Sequence, residues 1–232
     1  MDENQIDLVI YHNLKDKRNF FKGTFASNEL DRLQVLKLES QCFSFVTNTL
    51  SRNDVRNMGH WLGIFVKISG KIINLKFVDS FKMSYLNYGK YIKDYIDNLR
   101  VKAMEHDFKF IFEEVPFGLQ SYKSLSCGGY VIYSILGLKN CKYTTLRNLF
   151  SSFTTNKKSN DRFVEDFVEK KWPKTFCSDI FTKNVKVPFC KQKVFKRHGC
   201  LLKCFCGREC SILRSDYYIR HKVKNIFSVK DL

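Results

Sequence analysis

His60–Phe81, HWLGIFVKISGKIINLKFVDSF, reads as a β-hairpin. Leu62, Ile64, Val66 and Ile68 alternate along one face, Ser69-Gly70 supplies a turn, and Ile73, Leu75 and Phe77 continue the alternation on the return strand. Successive strand side chains point to opposite faces, so this pattern commits one face of both strands to a core. It also places His60 and Asp79 side by side at the open end of the hairpin.

Downstream, Ile92, Tyr95, Ile96 and Leu99 recur at helical spacing within residues 88–105, and FKFIFEEV (108–115) reads as a strand closed by Pro116. The polar loop GLQSYKSLS (118–126) then enters CGGYVIYSILGL (127–138), a run suited to a buried helix starting near Cys127. A further helix is expected around YTTLRNLFSSF (143–153). TTNKKSN (154–160) reads as a linker, with Asn160 placed to cap the amphipathic helix DRFVEDFVEKKW (161–172) ahead of Pro173. Upstream, Ile6, Val9, Ile10 and Leu14 give a short amphipathic helix after Asp2-Glu3. FFKGTFASNEL (20–30) reads as extended, and QVLKLES (34–40) and CFSFVTNTL (42–50) as strands.

The chain of 232 residues is 44% hydrophobic and 15% aromatic, enough for a substantial single core with length left for an appendage. No apolar run reaches a membrane span, and the acidic start is unlike a secretory signal, so a soluble protein made in a reducing compartment is expected. Nine cysteines without such a signal argue for buried, reactive or metal-bound thiols over a disulfide framework. The net charge of +17 is uneven. Residues 1–150 hold 21 basic and 15 acidic side chains, and residues 151–232 hold 19 and 8. Such an excess suits a polyanionic partner, because Lys and Arg release counterions condensed on phosphates; solubility is the blander reading.

A cysteine is a useful nucleophile at neutral pH only where its thiolate is favoured, and the first turn of a helix favours it through unpaired N–H groups and partial positive charge. Cys127 is so placed, and Gly128 and Gly129 are expected to leave room for a substrate backbone. An imidazole must take the thiol proton and a carboxylate must orient that imidazole, roles open to His60 and Asp79. Gln120, in the loop before Cys127, carries an amide able to join the Cys127 backbone N–H in stabilising an oxyanion. Each residue alone reads more readily as a packing or capping residue; their ordered combination is what points to catalysis.

Gly59-His60-Trp61, Asp79 in FVDSF, Gln120-Ser121 and Cys127-Gly128-Gly129 together resemble the adenovirus protease (adenain) family and its relatives in large DNA transposons and insect viruses. The resemblance covers about residues 15–135. The polar segment NTLSRNDVRNMG (48–59) and the segment FFKGTFASNEL (20–30) add to it, as does the helix RFVEDFVEKKW (162–172). It implies a compact α+β fold, a mixed sheet flanked by helices with the catalytic cysteine opening a buried helix. It further implies a cysteine endopeptidase that cleaves viral precursor proteins at small residues during virion maturation, with Trp61 lining a narrow cleft. SUMO- and ubiquitin-like deconjugating peptidases share the same residue order and form the alternative. A catalytically idle DNA-binding or virion structural protein is the alternative from another class, disfavoured by four intact positions.

The resemblance also implies an activator: stimulation by DNA through the basic surface, by a peptide, or by both, with no cofactor needed for the chemistry itself. One departure bears on this. Adenain's activating peptide forms a disulfide with a cysteine in the strand before the glutamine loop, and FKFIFEEV has none. A monomer without membrane association, in the virion and host nucleus, completes the expectation. The protease domain is assigned to residues 1–175 and a basic, cysteine-rich extension to residues 176–232. Within that extension CKQKVFKRHGCLLKCFCGREC (190–210) raises zinc binding, but Cys200, Cys204, Cys206 and Cys210 form no pair of C-x2-C knuckles, and free thiols or thiols that pair on oxidation are the favoured reading.

Overall fold

The computed structural model describes residues 1–14, 19–33, 38–54, 59–139 and 144–172. The boundary at residue 175 and the cysteine-rich extension lie outside the described residues. The elements in chain order are α1 (Glu3–Leu14), β1 (Phe21–Phe25), β2 (Gln41–Asn48), β3 (Trp61–Ser69), β4 (Ile72–Val78), α2 (Lys90–Glu105), β5 (Lys109–Glu114), α3 (Cys127–Leu138), α4 (Leu146–Leu149) and α5 (Lys157–Lys171). The strands form one mixed sheet in the order β1-β2-β3-β4-β5, parallel at its two outer pairings and antiparallel within. This is the α+β architecture expected from the sequence.

The hairpin is the centre of the sheet. Its turn falls at Gly70-Lys71, between the paired Ser69 and Ile72, and Gly70 adopts φ +55°, a left-handed conformation that glycine tolerates without a Cβ clash. Leu62, Ile64, Val66, Ile68, Ile73, Leu75 and Phe77 all face the layer that contains Ile92, Ile96 and Leu99 of α2. The opposite face presents Val46, Phe65 and Val78 to Ile6 and Ile10 of α1, Val131 and Ile135 of α3, and Val164 and Val168 of α5. Full burial of each such aliphatic side chain contributes roughly 1.5–3 kcal/mol, so covering the sheet on both faces fixes its register firmly. The parallel pairing of β4 with β5 requires a crossover, which α2 supplies.

Local chemistry sets the helix ends. Asp2 and Gln5 bond reciprocally, Gln5 N–H to Asp2 Oδ1 at 2.9 Å and Asp2 N–H to Gln5 Oε1 at 3.0 Å, a capping box that starts α1. Several sequence expectations shift. The extended reading of residues 20–30 holds only through Phe25, after which Ser27–Leu33 is a 3-10 helix. Of QVLKLES, residues 34–37 lie outside the described residues, and residues 39 and 40 form a bend. The helix expected around residues 143–153 is one turn, α4. Asn156, not Asn160, caps α5, taking the Ser159 N–H on its side chain at 3.2 Å. Asn160 lies within α5, 3% exposed, and its amide donates to Leu119 O at 3.1 Å and Thr154 O at 2.8 Å. The helix therefore begins inside the segment read as a linker.

Candidate active site

The open end of the hairpin holds two of the four sequence-predicted residues. His60 lies just before β3, and its backbone is fixed to Thr49: the His60 N–H donates to Thr49 Oγ1 and the His60 carbonyl accepts from the Thr49 N–H, both at 2.9 Å. Its ring stacks on Phe81, centroids 4.7 Å apart, with Tyr88 beyond at 6.4 Å. Asp79 follows β4 and is 1% exposed. Its carboxylate meets His60 Nε2 at 2.7 Å and accepts from Phe81 N–H at 2.9 Å, from Met83 N–H, and from Tyr88 O–H at 2.9 Å. Burial pushes the Asp79 carboxyl up, but His60 and the Phe81 and Met83 N–H groups outweigh it and hold the pKa below the ordinary value.

Cys127 is the first residue of α3 and remains partly accessible. Ser126 stands at the cap without bonding the helix N–H groups; its hydroxyl bonds Glu165 and Ser124 instead. The first turn thus retains its positive character beside the sulfur. Cys127 and His60 are close enough for each to shift the other's ionisation, and since Nε2 serves Asp79, Nδ1 is the ring nitrogen left for the sulfur. Burial raises the Cys127 pKa, but the bond to His60, the charge of its imidazolium and a bond from the Trp61 backbone outweigh it, leaving a net lowering. For His60, burial favours the neutral ring, yet the hydrogen bonds to Asp79 and Cys127 and their charges prevail and raise its pKa to about 9. Each group thus favours the charged form of the other, a thiolate beside an imidazolium with a carboxylate behind it.

Gln120 is 1% exposed in the loop before α3. Its Nε2 donates to Ser124 O at 2.8 Å and its Oε1 accepts from Ser80 Oγ at 2.5 Å. The loop is held from α3 and α5 as well: Tyr130 O–H of α3 donates to Leu119 O at 3.0 Å and lies 2.9 Å from Asp161 Oδ1 of α5, and the Ser121 N–H donates to Asp161 Oδ2 at 3.3 Å.

The structure corrects the reading of the two glycines after Cys127. Both are buried. A Cβ on Gly128 would meet Met1 Cβ at 3.2 Å, and one on Gly129 would meet Val164 Cγ2 at 3.3 Å, so their small size lets the N-terminal segment and α5 approach α3 closely. The space is filled by the protein rather than left for substrate. Trp61 is half-buried, and its indole N–H donates to Met1 O at 3.0 Å. Sequence reasoning missed Ser80, Tyr88 and Asp161, and gave Asn160 only a capping role. Ser80 in VDS was the most findable, adjoining the acid, but its partner Gln120 is 40 residues away. Among the described residues no group of three or more His, Cys, Asp or Glu is placed to hold a metal ion, and no helix is long and apolar enough to cross a membrane.

No protein-family model matches the sequence, and no curated protein matches it. Among solved structures the chain is similar to the ASFV pS273R protease, with TM-score 0.48 and 16% identity over 71% of this chain and 66% of that one. It is also similar to the SUMO protease Ulp1 with its catalytic cysteine oxidised to a sulfonic acid, with TM-score 0.37 and 17% identity over 72% and 77%. The Legionella pneumophila effector RavZ is a third, with TM-score 0.32 and 10% identity over 69% and 54%. The chain spans slightly less than two thirds of the length of the first of these.

Proposed function

We propose that this chain is a cysteine endopeptidase in which Cys127 is the nucleophile, His60 its base and acid, Asp79 the group that orients His60, and Gln120 an oxyanion donor. The observation that carries this reading is the buried Asp79 bonded to His60, beside a thiol at the first turn of α3 whose ionisation His60 favours. The thiolate adds to a peptide carbonyl: the S–C bond forms and the carbonyl π pair moves to oxygen. The Cys127 backbone N–H and the Gln120 amide are the donors suited to that oxyanion. Collapse breaks the C–N bond, and the His60 imidazolium gives its proton to the departing amine. Water then attacks the thioester with His60 accepting its proton, and Cys127 leaves as thiolate.

The finer reading is processing of viral precursor proteins during virion maturation, in the virion and host nucleus, stimulated by DNA. The ordered residue pattern supports the first part and the net charge of +17 the second. Mapping iodoacetamide modification by mass spectrometry, with Cys127→Ala as control, tests the nucleophile; equal labelling of Cys127 and ordinary exposed thiols would remove it. Glycine-containing junction peptides and ubiquitin-like probes then separate an endopeptidase from a deconjugating peptidase. Peptide turnover that is unchanged by DNA at low salt removes the DNA dependence.

A further inference from the structure

We infer that Ser80 is a positioning residue for the oxyanion site, setting the orientation of the Gln120 amide; this rests on the cysteine-peptidase reading above. Ser124 O can only accept a hydrogen bond, so the Gln120 atom 2.8 Å from it is Nε2. The other amide atom, Oε1, then faces Ser80, and the Ser80 hydroxyl must donate. Both side chains are buried, Ser80 at 2% and Gln120 at 1% exposure, so water does not substitute for either partner. One Nε2–H is engaged by Ser124, and the second has no partner among the described residues.

Ser80 holds this segment through its backbone as well. Its carbonyl accepts the Leu119 N–H at 2.7 Å and the Gln120 N–H at 2.9 Å. The preceding residue, Asp79, orients His60. Two consecutive residues past the end of β4 therefore fix both arms of the site, Asp79 the base and Ser80 the oxyanion donor. Ser80→Ala removes only the hydroxyl. The two backbone bonds remain, and Tyr130 and Asn160 still grip Leu119 O, so the loop keeps its path while the amide loses the partner that fixes its orientation.

The test compares wild type, Ser80→Ala, Gln120→Ala and the double variant on two probes. Hydrolysis of a peptidyl-Gly-Gly aminomethylcoumarin amide develops an oxyanion. Alkylation of Cys127 by iodoacetamide forms an S–C bond and expels iodide without one, so its rate reports the thiolate alone. Ser80→Ala is expected to lower kcat about tenfold, a fraction of the roughly 10²–10³-fold cost of losing an oxyanion donor outright. KM and the alkylation rate stay at wild-type levels, the melting transition falls only by the cost of one unpaired amide oxygen, and the loss of kcat vanishes in the Gln120→Ala background. Wild-type kcat in Ser80→Ala, a loss that simply adds to that of Gln120→Ala, or slowed alkylation overturns the Ser80 assignment alone. A wild-type protein whose Cys127 alkylates but whose amide hydrolysis equals that of Cys127→Ala overturns the peptidase reading, and the Ser80 role with it.

Discussion

Asp79 Oδ1 lies 2.7 Å from His60 Nε2, and the same carboxylate accepts from two backbone N–H groups and the Tyr88 hydroxyl. A side chain with four donors aimed at it is fixed in position, and through it so is the ring it holds. The charge matters separately from the position, because it favours the imidazolium that must form when Cys127 gives up its proton.

Asp79→Asn separates these effects. The amide matches the carboxylate in size but loses its charge, and one of its ends becomes a donor facing donors. Turnover is expected to fall by about 10²–10⁴-fold, the range associated with a lost acid–base contribution. Steady-state kinetics on the coumarin amide measures the fall, and the pH profile should show the His60 limb moving to lower pH. A variant with unchanged kcat and unchanged limb would remove Asp79 from the mechanism.

The pH dependence follows from the paired shifts. The Cys127 thiol ionises below its ordinary value of 9.0, and His60 keeps its proton up to about 9. Hydrolysis should rise as the thiolate forms and fall as pH passes about 9, where the leaving amine loses its proton donor. Alkylation needs only the thiolate, so it should not fall there. For stability, His60 is raised from an ordinary 6.5, so its contribution is fully present below about 6.5 and lost as pH rises through about 9. Asp79 is lowered from 3.8, so its contribution is present above 3.8 and lost as pH falls through its folded value. Rates and melts across pH 3 to 10.5 check both windows.

The two asparagines of α5 should behave differently. Asn156→Ala removes an exposed cap and is expected to cost about 0.5–2 kcal/mol of stability with turnover unchanged. Asn160→Ala removes a buried donor to Leu119 O and Thr154 O. It should cost about 0.5–1.5 kcal/mol for each bond lost, since its amide gives up Leu119 O and Thr154 O and its Oδ1 gives up the Thr154 N–H, and should also lower kcat, because Leu119, left with Tyr130 on its carbonyl, precedes Gln120. Denaturant unfolding beside kinetics on both variants distinguishes the roles.

The hairpin was legible because strand alternation is a local signal: Leu62 through Phe77 carry the fold's central pairing within one short stretch. The residues proposed for catalysis were legible as an ordered set, since their types and chain order persist whatever packs around them. What could not be read were contacts between distant segments. Gly128 and Gly129 look permissive in sequence, and only the approach of Met1 and Val164 shows what their small size admits. Asn160 looked like a cap because it precedes an amphipathic run, but its partner Leu119 lies 41 residues away. Capping rules place a cap to within a turn; long-range hydrogen bonds then choose between neighbouring asparagines.

Gly59 offers a steric test of how His60 is positioned. A Cβ there would fall 1.7 Å from Asn48 Oδ1 and 2.6 Å from Asn48 Cγ, far inside contact distance. Asn48 is paired with Trp61 across β2 and β3, and its Oδ1 accepts the Leu50 N–H at 2.9 Å, so it does not yield freely. In Gly59→Ala the strain passes to the next residue, His60, whose backbone is held by Thr49 on both sides of the peptide. Displacement of a base by about 1 Å costs on the order of 10²-fold in rate, so Gly59→Ala should lose turnover and slow Cys127 alkylation together. Asn48→Ala in the same chain removes the obstructing Cγ and Oδ1 and should restore much of both. Full activity in Gly59→Ala, or no recovery in the double variant, would show that His60 is not positioned through this contact.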